Sequence, residues 1–170
     1  MSKRIGLIVG VGSIGRRHAA VMAERYEQLL VVDTQATALE WCHQHLQTEI
    51  RSFDSVEALI PEITSQTSDI TAVIAVWGPH QFPTLLALGD AGVRNIFCEK
   101  PVAISLGQVV AIREMIRLKG ISLTTGLHFR YRNIAETIRG VCGQVSRWPP
   151  FHVCGRTWCT MCRYKRNSLA

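Results

Sequence analysis

The sequence predicts an α/β fold built on a doubly wound parallel sheet, and three observations carry that expectation. Short apolar runs rich in β-branched residues alternate with stretches of helical spacing along the first 126 residues. The segments between runs are long enough for crossover helices, which parallel strands require, and too long for hairpin turns. Glycines and capping pairs fall at the junctions, as they should where one kind of element gives way to the other. Strand–helix alternation of this kind places helices on both faces of a parallel sheet.

The first run is IGLIV at 5–9, followed by helical spacing over about 13–26. LLVV at 29–32 is the second strand and 35–46 the second helix. A weaker strand signal at 49–53, EIRSF, precedes a helix at 55–61, where Asp54 and Glu57 have the spacing of a capping box before ALI. ITAVIAV at 70–76 is followed by a helix at 81–91, and RNIFC at 94–98 by one at 105–119. Ser105 and Gln108 again have capping-box spacing, and Gly92 and Gly120 suit helix ends. ISLTT at 121–125 closes the series. No repeat of fixed period, low-complexity tract or Pro/Gly/Ser linker interrupts it, so we expect one domain over 1–126.

The 170 residues, 47% of them hydrophobic, suffice for one cored domain and argue against disorder throughout. No apolar run approaches the roughly 18 residues that cross a bilayer, and the first run starts too early for a secretory signal. A cytoplasmic protein without a membrane partner is expected. The net charge of +6 suggests nucleic acid only until it is divided along the chain. Residues 1–126 hold 11 Lys/Arg and 12 Asp/Glu, whereas residues 127–170 hold 8 Lys/Arg, the single acid Glu136 and four of the six cysteines. The basic character belongs to the second part.

Gly10-Val11-Gly12-Ser13-Ile14-Gly15 fits G-x-G-x-x-G. Alone, the pattern also serves plain turns. Here it follows a predicted strand, opens a predicted helix, and precedes a second strand ending in Asp33, 18 residues beyond the last glycine. That unit is the dinucleotide fingerprint of a Rossmann-type sheet. Gly10 permits the turn, Gly12 lets the backbone approach a pyrophosphate, and Gly15 lets the helix pack on the strand. The helix N-terminus, with Ser13 and Ile14, then offers free N–H groups to the phosphates. The missing G-K-[ST] excludes a P-loop, and S-adenosylmethionine is a minor competitor. A carboxylate at Asp33 accepts bonds from ribose hydroxyls and repels a 2′-phosphate, so NAD is favoured over NADP. Arg16 and Arg17 fit either the phosphates or a solvated helix face, and His18 reads as a packing or surface histidine.

Ligands of open parallel sheets bind beyond the carboxyl ends of the strands. The fourth strand runs into VWGPHQFP (76–83) and the fifth into FCEKPVAIS (97–105), so Trp77, Pro79, His80, Glu99 and Lys100 should gather near the nicotinamide. These segments, with GVGSIGRRH and TGLHFRY (125–131), resemble the dinucleotide-binding half of the glucose–fructose oxidoreductase, inositol dehydrogenase and MocA-like family, over about residues 3–132. One departure is that Pro83 stands where the family often has a histidine, with His80 nearer.

The resemblance implies hydride transfer between NAD(P) and a C–OH or C=O of a sugar or cyclitol. It makes Lys100 the catalytic residue beside the reacting hydroxyl, and Glu99 a group that orients Lys100 or touches the cofactor ribose. Trp77 and Pro79 fall with the cofactor contacts, and Arg130 is a further candidate contact. It also implies homo-oligomers for full-length relatives and a second α/β domain, for which residues 127–170 have no matching pattern. We expect those residues to be an inter-domain start followed by a short basic Cys-rich tail, the product of a truncated or frame-shifted reading frame. The chain alone is then expected to bind cofactor without turnover, and to self-associate through the bared VWGPHQF and LHFRY segments. A metal site at His152, Cys154, Cys159 and Cys162, or a nucleic-acid tail, is a poorer reading of the same residues, and we expect no metal and no nucleic acid. A stand-alone NAD-binding regulatory module and an interaction protein using the Cys-rich end remain open as alternatives.

Overall fold

The structure is a computed structural model that describes residues 3–63 and 70–127. Six strands form one all-parallel sheet in the order β3-β2-β1-β4-β5-β6. In chain order the elements are β1 (Ile5–Val9), α1 (Ser13–Ala23), β2 (Gln28–Val32), α2 (Ala36–His45), β3 (Glu49–Phe53), α3 (Val56–Ile63), β4 (Ile70–Ile74), α4 (Gly78–Asp90), β5 (Asn95–Cys98), α5 (Leu106–Lys119) and β6 (Ser122–Thr125).

The central strands read as continuous apolar runs because both faces are covered: every residue of β1 and β2 is buried. Alternate side chains therefore enter two separate cores. Leu7, Val9, Leu30, Ile74 and Leu85 lie in one, and Ile8, Val31, Ala19 and Cys42 in the other. The strand signal weakens at 49–53 because β3 is an edge strand, with no residue fully buried. The chain's reversal of direction across the sheet falls between β1, which pairs with β2, and β4, which pairs with β1 on its other side. That junction is where ligands of such sheets bind.

Three local expectations need correction. The helix after β3 is capped by Ser55, whose Oγ accepts the Ala58 N–H at 3.3 Å, and not by Asp54. It also runs past Pro61 to Ile63, because Leu59 and Ile63 are both buried and hold the last turn against the core. Finally, β4 ends at Ile74 and α4 already begins at Gly78, whereas the pattern set them at 76 and 81. Pro79 falls in the first turn of α4, where no backbone donor is needed, so GPHQFP is helical although it looks like a loop. Elsewhere the end signals hold. Ser105 Oγ accepts the Gln108 N–H, and Gly120 ends α5 in the left-handed conformation at φ 63°.

Ser55→Ala should lower stability by about 1 kcal/mol, the usual worth of a side-chain N-cap. Asp54→Ala should cost clearly less. Urea unfolding of the two variants compares them, and a larger loss at Asp54 would restore the capping box.

Candidate functional site

The turn between β1 and α1 is held by contacts that leave no room for side chains. Gly10 has φ +91°, and a Cβ there would lie 2.8 Å from the Ala75 carbonyl oxygen. At Gly15 a Cβ would fall 1.9 Å from the Gly10 carbonyl oxygen, so only glycine allows α1 to sit this close to the turn. Gly12 is the opposite case: a Cβ there would meet nothing within 4 Å. The chain is therefore bare of side chains on the side facing open space. Gly12 is also the N-cap of α1, and no side chain caps that end, whose first turn carries no acidic residue. The leading N–H groups of α1 are left to an outside acceptor.

Asp33 follows β2 directly and braces this turn. Its Oδ2 accepts the Val11 N–H at 2.7 Å and its Oδ1 the Gln35 N–H at 2.8 Å. Each carboxylate oxygen has two acceptor positions, so both oxygens keep one for a ribose hydroxyl. The sequence reading gave Asp33 the second task and missed the first. Arg16 is held between the turn and α2. Its Nε donates to the Val11 carbonyl at 3.3 Å and its guanidinium stacks 4.9 Å from the Trp41 ring centroid.

A crevice of about 570 Å³ opens beside the turn, within the range of small-molecule sites. Gly10, Gly12 and Asp33 line it together with Asp54 and Glu57 from the entry to α3. Trp77, His80, Pro83 and Thr84 from the start of α4 form the other wall. Trp77 is 77% exposed, with its ring tilted against His80 at 6.0 Å. Among the described residues the lining includes three carboxylates and no lysine or arginine.

Of the other residues expected here, Ser13 and Ile14 sit exposed on the first turn of α1, and Pro79 on that of α4. Lys100 is exposed just past β5 and outside the crevice lining. Glu99 precedes it, and its carboxylate is bonded to His18. His128, Arg130 and the cysteines from 142 onward lie outside the described residues.

Gln81 carried no signal in the sequence. Its side chain is 2% exposed, donates to the Val76 carbonyl at 3.0 Å and accepts from the Cys98 thiol at 3.2 Å. It thereby ties the Trp77 turn to the end of β5. Only the fold shows this, since a buried glutamine and a cysteine 17 residues apart have no local pattern. Burial pushes the Cys98 thiol up to about 12, and burial pushes Cys42 up to about 11 against the opposing pull of Arg16.

A parallel sheet with an open glycine turn, an uncapped helix N-terminus and a carboxylate after β2 defines a dinucleotide-binding α/β domain. The profile of the Gfo/Idh/MocA family, an oxidoreductase family with an NAD-binding Rossmann fold, matches residues 4–127, and the chain belongs to that family. It is 26% identical over 149 residues to glucose-6-phosphate 3-dehydrogenase of Bacillus subtilis (strain 168), covering 82% of this chain and 37% of that protein. Among solved structures it resembles scyllo-inositol dehydrogenase from Lactobacillus casei with bound NAD(H) and scyllo-inositol, at TM-score 0.67 and 16% identity over 84% of this chain and 42% of that one. The WlbA (WbpB) dehydrogenase from Thermus thermophilus, in complex with NAD and UDP-GlcNAcA, gives TM-score 0.71 and 16% identity over 83% and 47%. The chain thus spans less than half the length of these relatives. Among the described residues no helix is long and apolar enough to cross a membrane.

The thiolate is the reactive form of cysteine, so a thiol whose pKa is raised stays protonated and inert at pH 8. Iodoacetamide at that pH should leave Cys42 and Cys98 unmodified in the native chain and label both in urea. Peptide mass spectrometry reads the result, and rapid native labelling of Cys98 would contradict its enclosure.

Proposed function

We propose that the domain holds NAD for hydride transfer to or from a sugar or cyclitol. The carrying observation is the open space over Gly12 at the uncapped start of α1, with Asp33 beside it. In this reading the pyrophosphate lies against the α1 N–H groups and the adenosine ribose against Asp33 on the β2 side. The strand order then sends the nicotinamide the other way across β1, toward β4 and β5, where Trp77, Pro79, Glu99 and Lys100 stand. When bound, the nicotinamide supplies hydride chemistry at its C4. Lys100 would hold the reacting hydroxyl and exchange a proton with it. Sugar and cyclitol substrates are suggested by the names of the relatives alone, as is homo-oligomerisation by the resemblance. A cytoplasmic setting is part of the reading.

The reading prefers NAD to NADP because Asp33, Asp54 and Glu57 share the crevice, where a 2′-phosphate would meet like charge, and among the described residues of its lining there is no lysine or arginine. The exposure of Lys100 favours a second reading, in which these 170 residues bind NAD without appreciable turnover, as a cofactor-binding module. Incubation with NAD and a panel of sugars and cyclitols, followed by NADH absorbance, separates the two.

Calorimetry should show tighter binding of NAD than of NADP, and Asp33→Ala should narrow the difference. Equal affinities in the unmutated chain would contradict the ribose role. Gly12→Val should fold, since a Cβ there enters open space, yet lose NAD binding. Retained affinity would mean that the glycines form only a turn. In a full-length relative with the same E-K-P segment, replacing the lysine matching Lys100 by alanine should lower kcat by on the order of 10² to 10⁴, the usual contribution of a positioned proton-transfer group. Normal turnover would remove it from the reaction.

A further inference from the structure

His18 lies one turn beyond Gly15, on the face of α1 that passes over the end of β4. The crossing is close because Ala75 is small: a Cβ on Gly15 would be 3.7 Å from the Ala75 Cβ. His18 can therefore reach past β4 to β5, where its Nε2 stands 3.0 Å from Glu99 Oε1. The two side chains are only 28% and 19% exposed, and the imidazole lies tilted against Phe97 with ring centroids 5.1 Å apart. Glu99 is confined on its other sides as well. Its Oε2 accepts the Lys100 N–H at 3.3 Å, and its own N–H donates to the Ile74 carbonyl at 2.9 Å. Gly126 closes over the carboxylate, since a Cβ there would be 2.8 Å from Oε2 and 3.0 Å from Oε1. The carboxylate that looked available to a ribose is enclosed between α1, β5 and the end of β6.

We propose that His18 is a positioning residue: by holding Glu99 it fixes the turn carrying Lys100 relative to the helix that receives the pyrophosphate. The inference rests on the NAD reading above. Lys100 is exposed and has a flexible four-carbon stem, so the backbone at its base decides where its ammonium reaches. That backbone is bonded to Glu99, and Glu99 to His18. A hydrogen bond to a charged group in a half-buried place is worth enough to hold such a turn. The consequence falls on the nicotinamide end of the cofactor, beyond β4 and β5, and leaves the adenosine end beside Asp33 untouched.

The test compares NADH with ADP-ribose, which keeps the adenosine and pyrophosphate and lacks the nicotinamide. Both are titrated calorimetrically into the purified chain and into His18→Ala, His18→Gln and Glu99→Gln. His18→Ala should weaken NADH about tenfold, the size expected for one hydrogen bond to a charged group, and leave ADP-ribose within about twofold. His18→Gln, whose amide N–H can take the place of Nε2, should recover most of the loss. Glu99→Gln keeps the volume under Gly126 and should show the same selective loss, which answers the question if His18→Ala does not fold. Equal weakening of both ligands in the folded variants, or unchanged NADH affinity in them, overturns the positioning role while NAD binding stands. An unmutated chain that binds neither ligand overturns the NAD reading and this inference with it.

Discussion

The contact between Gly15 and the Gly10 carbonyl is the constraint on which the rest of the site depends. A hydrogen is the largest group that fits there, and the distance available to a Cβ, 1.9 Å, is far below any real carbon–oxygen contact. The close approach brings the start of α1 down onto the ends of β1 and β4. Without it the leading N–H groups would face solvent at a distance from the sheet, and Asp33 could not reach the Val11 N–H across the turn. The helix would also ride too high for His18 to meet Glu99. One missing methyl group thus sets the height of α1, and the height of α1 sets which strand ends it can engage.

Two carboxylates brace the site from opposite sides. Asp33 ties it to β2 through the Val11 N–H, and Glu99 ties α1 to β5 through His18. The strand-end position gave Asp33 a ribose contact as an expectation, and the family resemblance gave Glu99 the orientation of Lys100 or a ribose contact. Their bonds within the protein were not legible, since they join residues 22 and 81 positions apart. Asp33 retains acceptor capacity and can serve both tasks. Glu99, closed in by Gly126, has far less left to offer.

The fold was legible wherever burial was two-sided. β1, β2 from Leu29 onward and the core of β4 appear in the sequence as apolar runs because the sheet is covered on both faces. The edge strand β3 appeared only weakly, its side chains being half-buried or exposed. The boundaries that the sequence misplaced lie where a local signal competes with packing. Pro79 and Pro83 suggest a loop, yet α4 begins before both of them. Pro61 suggests a stop, yet Leu59 and Ile63 bury the turn around it. Burial outweighed the local preference at Pro61, whereas Pro79 is tolerated because the first turn of a helix needs no donor there.

Gln81 shows how the second wall of the crevice is fixed without any motif. The β4–α4 turn must present Trp77 and His80 to the crevice, and a turn of this kind exposes carbonyls that need donors. Gln81 supplies one from inside the first turns of α4, and its remaining oxygen is met by the Cys98 thiol. That thiol can donate only while protonated, and burial keeps it so, with its pKa pushed up to about 12. The buried cysteine at the end of β5 is thus part of the frame of the crevice and is unsuited to act as a nucleophile. Cys98 and Glu99 are neighbours in sequence, and they brace opposite sides of one strand end: Cys98 toward α4 through Gln81, Glu99 toward α1 through His18. The backbone that leads to Lys100 is anchored from both faces of the sheet before it leaves β5.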